Sequence, residues 1–209
     1  MVKKVNSSAG QALNLLFQGN SRFLKRLNSV NDNGNDIIKP PKLVSEGQSP
    51  FCAILCCSDS CMPPEFIFDQ GIGDLFVICT IGNYASTPAI ASIEYAVLKL
   101  KVPLIVVLGH SNCEAIQATL DRELTGIKPL SENLNIVADE LSPSVRGAIE
   151  KNQTEERKGN LVNYAARLHI QHANHCILKS PVLQEAQWEN EIGIIGAYCS
   201  LDTGKVDFI

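Results

Sequence analysis

The stretch LIVVLGHSNC (residues 104–113) decides the fold. Its first five residues are continuously apolar and near strand length, the pattern of a strand covered on both faces. Three other runs share that character: CAILCC (52–57), LFVIC (75–79) and IGIIGAY (192–198). Between them, residues 87–100 and 161–176 read as helices, the first with Thr87 as its candidate N-cap and Pro88 in its opening turn. Strands alternating with helices predict an α/β fold, a mainly parallel central sheet with flanking helices. Leu13, Leu16, Phe17, Phe23, Leu24 and Leu27 recur near helical spacing, so an N-terminal helical arm of one or two amphipathic helices precedes the sheet. At the other end, Asp202, Thr203 and Gly204 form a turn before residues 206–209, which predicts a C-terminal antiparallel edge hairpin. Residues 28–50 turn to Asn, Asp, Gly, Ser and Pro and read as a surface connection. The expectation is one domain over residues 1–209, with an arm and linker (1–50) and an α/β core (51–209).

Composition narrows the functional classes. At 209 residues, 45% hydrophobic and 19% charged, the chain is a globular protein able to bury a core without disulfides, and disordered and collagenous classes are excluded. The net charge is −4 and no basic run interleaved with aromatics occurs, so no nucleic-acid partner is expected. No stretch approaches the roughly 20 apolar residues of a membrane span. The start MVKKVNSSAG lacks a continuous apolar region and a small-residue cleavage site, so it does not read as a signal peptide. Eight cysteines without a secretion signal point to reduced thiols and a cytoplasmic location. Four of them, Cys52, Cys56, Cys57 and Cys61, crowd into ten residues.

The chemistry concentrates after two of the strands. Cys57-Ser58-Asp59-Ser60-Cys61 follows the first and His110-Ser111-Asn112-Cys113 follows LIVVLG. In an open parallel sheet the carboxyl ends of the strands line the ligand crevice, so these motifs converge if their strands are neighbours. Thiolates and an imidazole are zinc ligands, and three protein ligands leave a fourth position open. Cys52, Cys56 and Cys199 fall on strands and read as core. His169, His172, His175 and Cys176 have helical spacing, but an apolar stripe through Leu161, Val162, Ala165 and Leu168 marks that helix as packing, not a second metal site.

These motifs resemble those of the β-class carbonic anhydrases, whose Cys-x-Asp-x-Arg and His-x-x-Cys motifs lie some fifty residues apart. The resemblance extends through GNSRF (19–23), GQSP (47–50), GDLFV (73–77), SIEYAV (92–97) and GAYCSLDTGKVDFI (196–209), nearly the whole chain. It implies a zinc enzyme that reversibly hydrates CO2 to bicarbonate with hydroxide generated at the metal. Cys57, His110 and Cys113 would be the zinc ligands, with Asp59, Cys61 or water in the fourth position. Asp59 would orient water, Gln48 would donate a hydrogen bond near bound substrate, and Phe76, Ile81 and Tyr95 would form an apolar wall. The family builds its crevice across a dimer interface, so a homodimer or higher even oligomer is expected, its N-terminal helices embracing a neighbour.

Departures from the family pattern carry information. The arginine that pairs with the aspartate is Cys61 here, which removes a bidentate clamp and leaves the dication as a strong attraction for Asp59. Closure of Asp59 onto zinc is expected; the alternatives are a Cys61 thiolate on the metal, or Cys61 unligated with Asp59 held by backbone amides. A second family arginine is Cys79, in CTIGN (79–83), and the glycine after the last zinc cysteine is Glu114. At the start of a helix Glu114 would favour the positive helix end; facing the crevice it would repel bicarbonate. A Cys57–Cys61 disulfide would abolish the zinc site under oxidation. Two alternatives accompany the hydratase: a catalytically inactive zinc-binding homologue with a structural or regulatory role, and a hydrolase of carbonyl sulfide or carbon disulfide.

Overall fold

The structure is a computed structural model that describes residues 8–28, 48–59, 63–127, 131–154 and 160–209. Five strands form one sheet: β1 (Cys52–Cys57), β2 (Leu75–Thr80), β3 (Leu104–His110), β4 (Gly193–Cys199) and β5 (Val206–Phe208). Their order is β2-β1-β3-β4-β5, with the first four parallel and β5 antiparallel to β4. The apolar runs are therefore strands as expected, and the closing edge hairpin is present.

Alternation along each strand divides the core in two. Ala53, Leu55, Ile105 and Val107 face one cluster, filled by α3 (Thr87–Leu98), α4 (Glu114–Thr125), α5 (Glu132–Thr154), α6 (Leu161–Ile177) and α7 (Pro181–Trp188). Cys52, Ile54, Cys56, Val106 and Leu108 face a second, thinner cluster under α1 (Ala9–Asn28) and α2 (Pro64–Ile67). Every residue of β3 is buried, which is why its sequence carries no polar alternation. Burying Ile105 alone is worth roughly 1.5–3 kcal/mol.

The arm is one helix, not two. Ala12, Leu16 and Phe23 are buried against the second face, while Phe17 on the opposite side is 58% exposed. Buried Asn20 fastens this helix to its own sheet: its Nδ2 donates to the Ile67 and Gly204 carbonyls at 3.2 and 2.9 Å, and its Oδ1 accepts from the Val206 N–H at 3.1 Å. Most of the surface connection, residues 29–47, lies outside the described residues.

Helix α3 begins one residue earlier than its candidate cap suggests. Ser86, not Thr87, is the N-cap, its hydroxyl accepting from the Ala89 N–H, and the helix ends at Leu98, two residues before the expected Leu100. Pro88 is acceptable at either of the first two helical positions, so it does not distinguish Ser86 from Thr87 as the cap. Helix α6 opens on Asn160, whose side chain accepts from the Val162 and Asn163 N–H groups, and runs one residue past the expected end.

The strand order carries the functional consequence. From β1 the chain crosses to β2 on one side, then returns over β1 to β3 on the other. The order reverses at the β1/β3 boundary, and a crevice opens outside their carboxyl ends. Cys57 ends β1 and His110 ends β3.

Candidate metal centre

Three side chains meet at that crevice. The ligand atoms of Cys57, His110 and Cys113 all lie within 4.8 Å of one another, and no other such group occurs among the described residues. Cys113 reaches the group because the chain reverses at Asn112, which holds φ at 55°, a left-handed conformation that asparagine tolerates better than most residues. The Asn112 N–H donates to Asn163 Oδ1 at 2.7 Å, and its Oδ1 accepts from Asn160 Nδ2 at 3.3 Å, so the start of α6 holds the turn. Ser111 ties the same turn to the β4–β5 hairpin. Its N–H donates to the Cys199 carbonyl and its hydroxyl accepts from the Leu201 N–H, both at 2.9 Å. Cys113 is then the N-cap of α4.

The histidine is set up as a ligand. His110 Nδ1 lies 2.9 Å from the Ser111 carbonyl oxygen, which can only accept, so the proton sits on Nδ1 and the Nε2 lone pair is free. Nε2 is buried without a hydrogen-bond partner. An orphaned buried acceptor beside two thiols is what a metal would satisfy. The Cys57 and Cys113 sulfurs are 4.0 Å apart, close to the about 3.8 Å that two thiolates span on a tetrahedral zinc. The donor set and its spacing fit that ion.

Backbone and neighbours divide the two thiols. The Cys113 thiol donates toward Cys57, and this, against the cost of burial and with help from His110, lowers the Cys57 pKa to about 4. The Asp59 and Gly82 N–H groups, 3.4 and 3.3 Å from its sulfur, add to the same effect. Cys113 shifts in the opposite direction because of Cys57 and burial, although the N–H groups of Ile116 and Ala115 at the α4 N-terminus favour its thiolate. The pair thus favours losing its first proton at Cys57, and a dication would displace the remaining one. Burial opposes charge on His110, but Cys57, the Ser111 carbonyl and Asp59 raise its pKa overall.

Gly82 sits in a 3-10 turn, Ile81–Asn83, at φ 64°. A Cβ there would lie 3.0 and 3.2 Å from the Leu141 methyls and 3.3 Å from Ala115, so glycine alone lets this N–H approach Cys57. Neither Gly82 nor Asn112 emerged from the motifs as a site residue, although an Asn inside HSNC and a Gly-Asn pair are both signals of positive φ.

Asp59 approaches the group from one side, its Oδ2 3.9 Å from His110 Nε2. Cys61 lies outside the described residues. A narrow cavity of about 20 Å³, room for one water-sized molecule, adjoins the group and is lined by Cys57, Asp59 and His110 together with Cys56, Cys199 and apolar Ile67, Leu108 and Leu201. The expected wall does not line it. Phe76 pairs with Ala53, four residues before the Cys57–Thr80 pair, which places it about 13 Å back along the strands. Its ring lies 6.2 Å from that of Tyr95, and Tyr95 and Ile81 are half exposed. Gln48 is exposed. Glu114 is exposed in the first turn of α4, the place where its charge complements the helix end. His169 is buried beneath the Gly82–Asn83 turn, and neither it nor His172, His175 and Cys176 forms a metal group among the described residues.

Comparison with known proteins agrees with this geometry. Residues 52–206 match the carbonic anhydrase family model. A carbonic anhydrase of Mycolicibacterium smegmatis is 32% identical over 206 residues, covering 97% of this chain and 94% of that one. Carbonic anhydrase 2 of Mycobacterium tuberculosis is 35% identical over 169 residues, 78% and 75% of the two chains. Among solved structures, a tetrameric β-carbonic anhydrase of Sordaria macrospora superposes with a TM-score of 0.71 at 26% identity, covering 78% of this chain and 82% of that one. Fold, motif placement and sequence similarity agree: the chain belongs to the carbonic anhydrase family, in its β class.

Proposed function

We propose that this chain is a zinc-dependent carbonic anhydrase that reversibly hydrates CO2 to bicarbonate, with Cys57, His110 and Cys113 holding the metal. The observation that carries this reading is the buried, partnerless Nε2 of His110 beside two thiols at tetrahedral spacing, in a chain of this family. When bound, zinc supplies a Lewis acid that brings the pKa of water to about 7.

The chain's own groups do the rest. Ser111 holds the His110 tautomer, and the Asp59 and Gly82 amides hold Cys57 as thiolate. Asp59, on the side of His110 Nε2, would accept a hydrogen bond from a water held beside that nitrogen and so orient it. The same carboxylate would close the site by ligating the metal, and Cys61 would be the competing ligand. Ile67, Leu108 and Leu201 offer a small apolar surface suited to an uncharged linear substrate.

Gln48, Phe76, Ile81 and Tyr95 act across an interface, contributed to the crevice of a second copy. The exposure of Gln48, Ile81 and Tyr95 in one chain and the tetrameric assembly of the Sordaria relative support a dimer or higher even oligomer. No helix among the described residues is long and apolar enough to cross a membrane. The seven described cysteines are all unbridged, which supports a reducing, cytoplasmic setting.

The replacement of both family arginines by Cys61 and Cys79 favours a second reading, a zinc-binding homologue without turnover. Stopped-flow CO2 hydration by reduced protein of known zinc content, from about pH 6.5 to 9.5, separates the two. A zinc-dependent rate above buffer supports the hydratase. One zinc per chain with no rate at any pH removes it. Sulfide release from carbonyl sulfide or carbon disulfide in place of CO2 turnover would assign the sulfur substrates.

A further inference from the structure

The metal group does not account for all the closely placed thiols. Cys56 and Cys79 stand directly opposite each other on parallel neighbours β1 and β2, with their sulfurs 3.2 Å apart. That is closer than the 4.0 Å between the two metal-site sulfurs. Paired residues on adjacent strands have Cα atoms about 4.8 Å apart, inside the about 4.4–6.8 Å range of disulfides. The two thiols also differ in access. Cys56 is 5% exposed and belongs to the second core cluster, whereas Cys79 is exposed on the edge strand.

We propose that Cys56 and Cys79 form a redox-active dithiol, converted by small disulfides into a cross-strand disulfide while the metal ligands are spared. Exposed Cys79 gives its proton to solvent and attacks one sulfur of the reagent RS–SR. The reagent's S–S bond breaks, leaving a mixed disulfide on Cys79, and the first RS⁻ departs and is protonated. Buried Cys56 then attacks the Cys79 sulfur and expels the second RS⁻, which carries away the Cys56 proton. The dithiol loses two electrons, the reagent gains them, and two RSH are released.

Within one chain the order of attack follows from exposure, Cys79 being the exposed thiol and Cys56 the buried one. Selectivity follows from strand alternation. Cys57 is next in sequence to Cys56, yet packs against the opposite core and faces Cys113 and His110. The dithiol is therefore distinct from a Cys57–Cys61 bridge, which would consume a metal ligand.

The test treats zinc-loaded protein with oxidised glutathione and maps thiols and linkages by fragmentation mass spectrometry, with released zinc followed by a chromophoric chelator. The expected product has lost the mass of two hydrogens, links Cys56 to Cys79 and retains its zinc. A Cys57–Cys61 link with zinc release, a persistent glutathione adduct on Cys79 with Cys56 still free, or no reaction would each overturn the proposal. In Cys79→Ser, a change on the exposed edge strand, Cys56 is expected to remain a thiol. Loss of the Cys56 thiol at the wild-type rate in that variant would also overturn it.

Discussion

Cys56 and Cys57 are the same residue type, adjacent in sequence and on the same strand, yet their environments have opposite effects. Cys57 lies among donors, the Cys113 thiol and the Asp59 and Gly82 amides, and its pKa falls to about 4. Cys56 is pushed well up by burial and by the neighbouring Cys79 thiol. Alternation places them in opposite core clusters, Cys57 beside Cys113 and Cys56 beside Cys79 of the edge strand, while both border the small cavity next to the metal group. A cysteine's chemistry here is set by the donors its strand face meets.

Exchanging the two residues is the strongest way to break that contrast. Cys57→Ser is expected to abolish stoichiometric zinc binding and the entire zinc-dependent rate, whereas Cys56→Ser keeps one zinc per chain. Metal analysis after gel filtration gives the answer, and equal zinc loss in both variants would remove the distinction. Gly82→Ala comes next, because it forces a side chain into a left-handed turn against Leu141 and Ala115 and displaces an amide that serves Cys57 alone. It should cost about 2–3 kcal/mol in urea unfolding and weaken zinc binding, leaving the Cys56–Cys79 linkage reaction intact.

The support under that turn can be read by pH. Burial, with a smaller contribution from the His172 charge, lowers the pKa of His169 to about 4. The unfolded chain takes up this proton near pH 6.5 and the folded chain only near 4, so the neutral histidine's contribution is complete above pH 6.5 and is lost as pH falls toward 4. The total loss is about 3 kcal/mol, and His169→Gln should flatten this part of the pH dependence of the urea midpoint. An unchanged slope would show that His169 is not the titrating group. The smallest expected effect is that of Ser86→Ala, which removes the cap of α3 and touches neither thiol pair. A loss of about 1 kcal/mol with unchanged zinc content calibrates what ordinary packing changes do.

The parts of the molecule legible in sequence are those with one dominant cause. Continuous apolar runs marked β1 to β4 because both sheet faces are covered, and strand ends carrying Cys and His marked the metal group. Helices α4, α5 and α7 were not read. Pro143, Ser142, Ser144 and Gly147 interrupt the apolar pattern of α5, which is nonetheless held by packing of Leu141, Val145 and Ala148. The nearness of Cys79 to Cys56 depends on the register of two parallel strands, set by tertiary packing and not by any local signal. Phe76 does not line the small cavity of its own chain, because the sheet register holds it far from the carboxyl edge.

The strand order has a mechanical consequence for any ion held at the crevice. Cys57 and Cys113 are 56 positions apart, and between them the chain makes its whole excursion through β2 and α3. An ion bound to both is a crosslink that closes this loop at the middle of the sheet, a constraint worth on the order of 3–4 kcal/mol of chain entropy. Chelation is therefore expected to be felt first as faster hydrogen exchange at the buried amides of β1 and β3. The cation supply would then govern how long the centre of the sheet stays closed, independently of turnover.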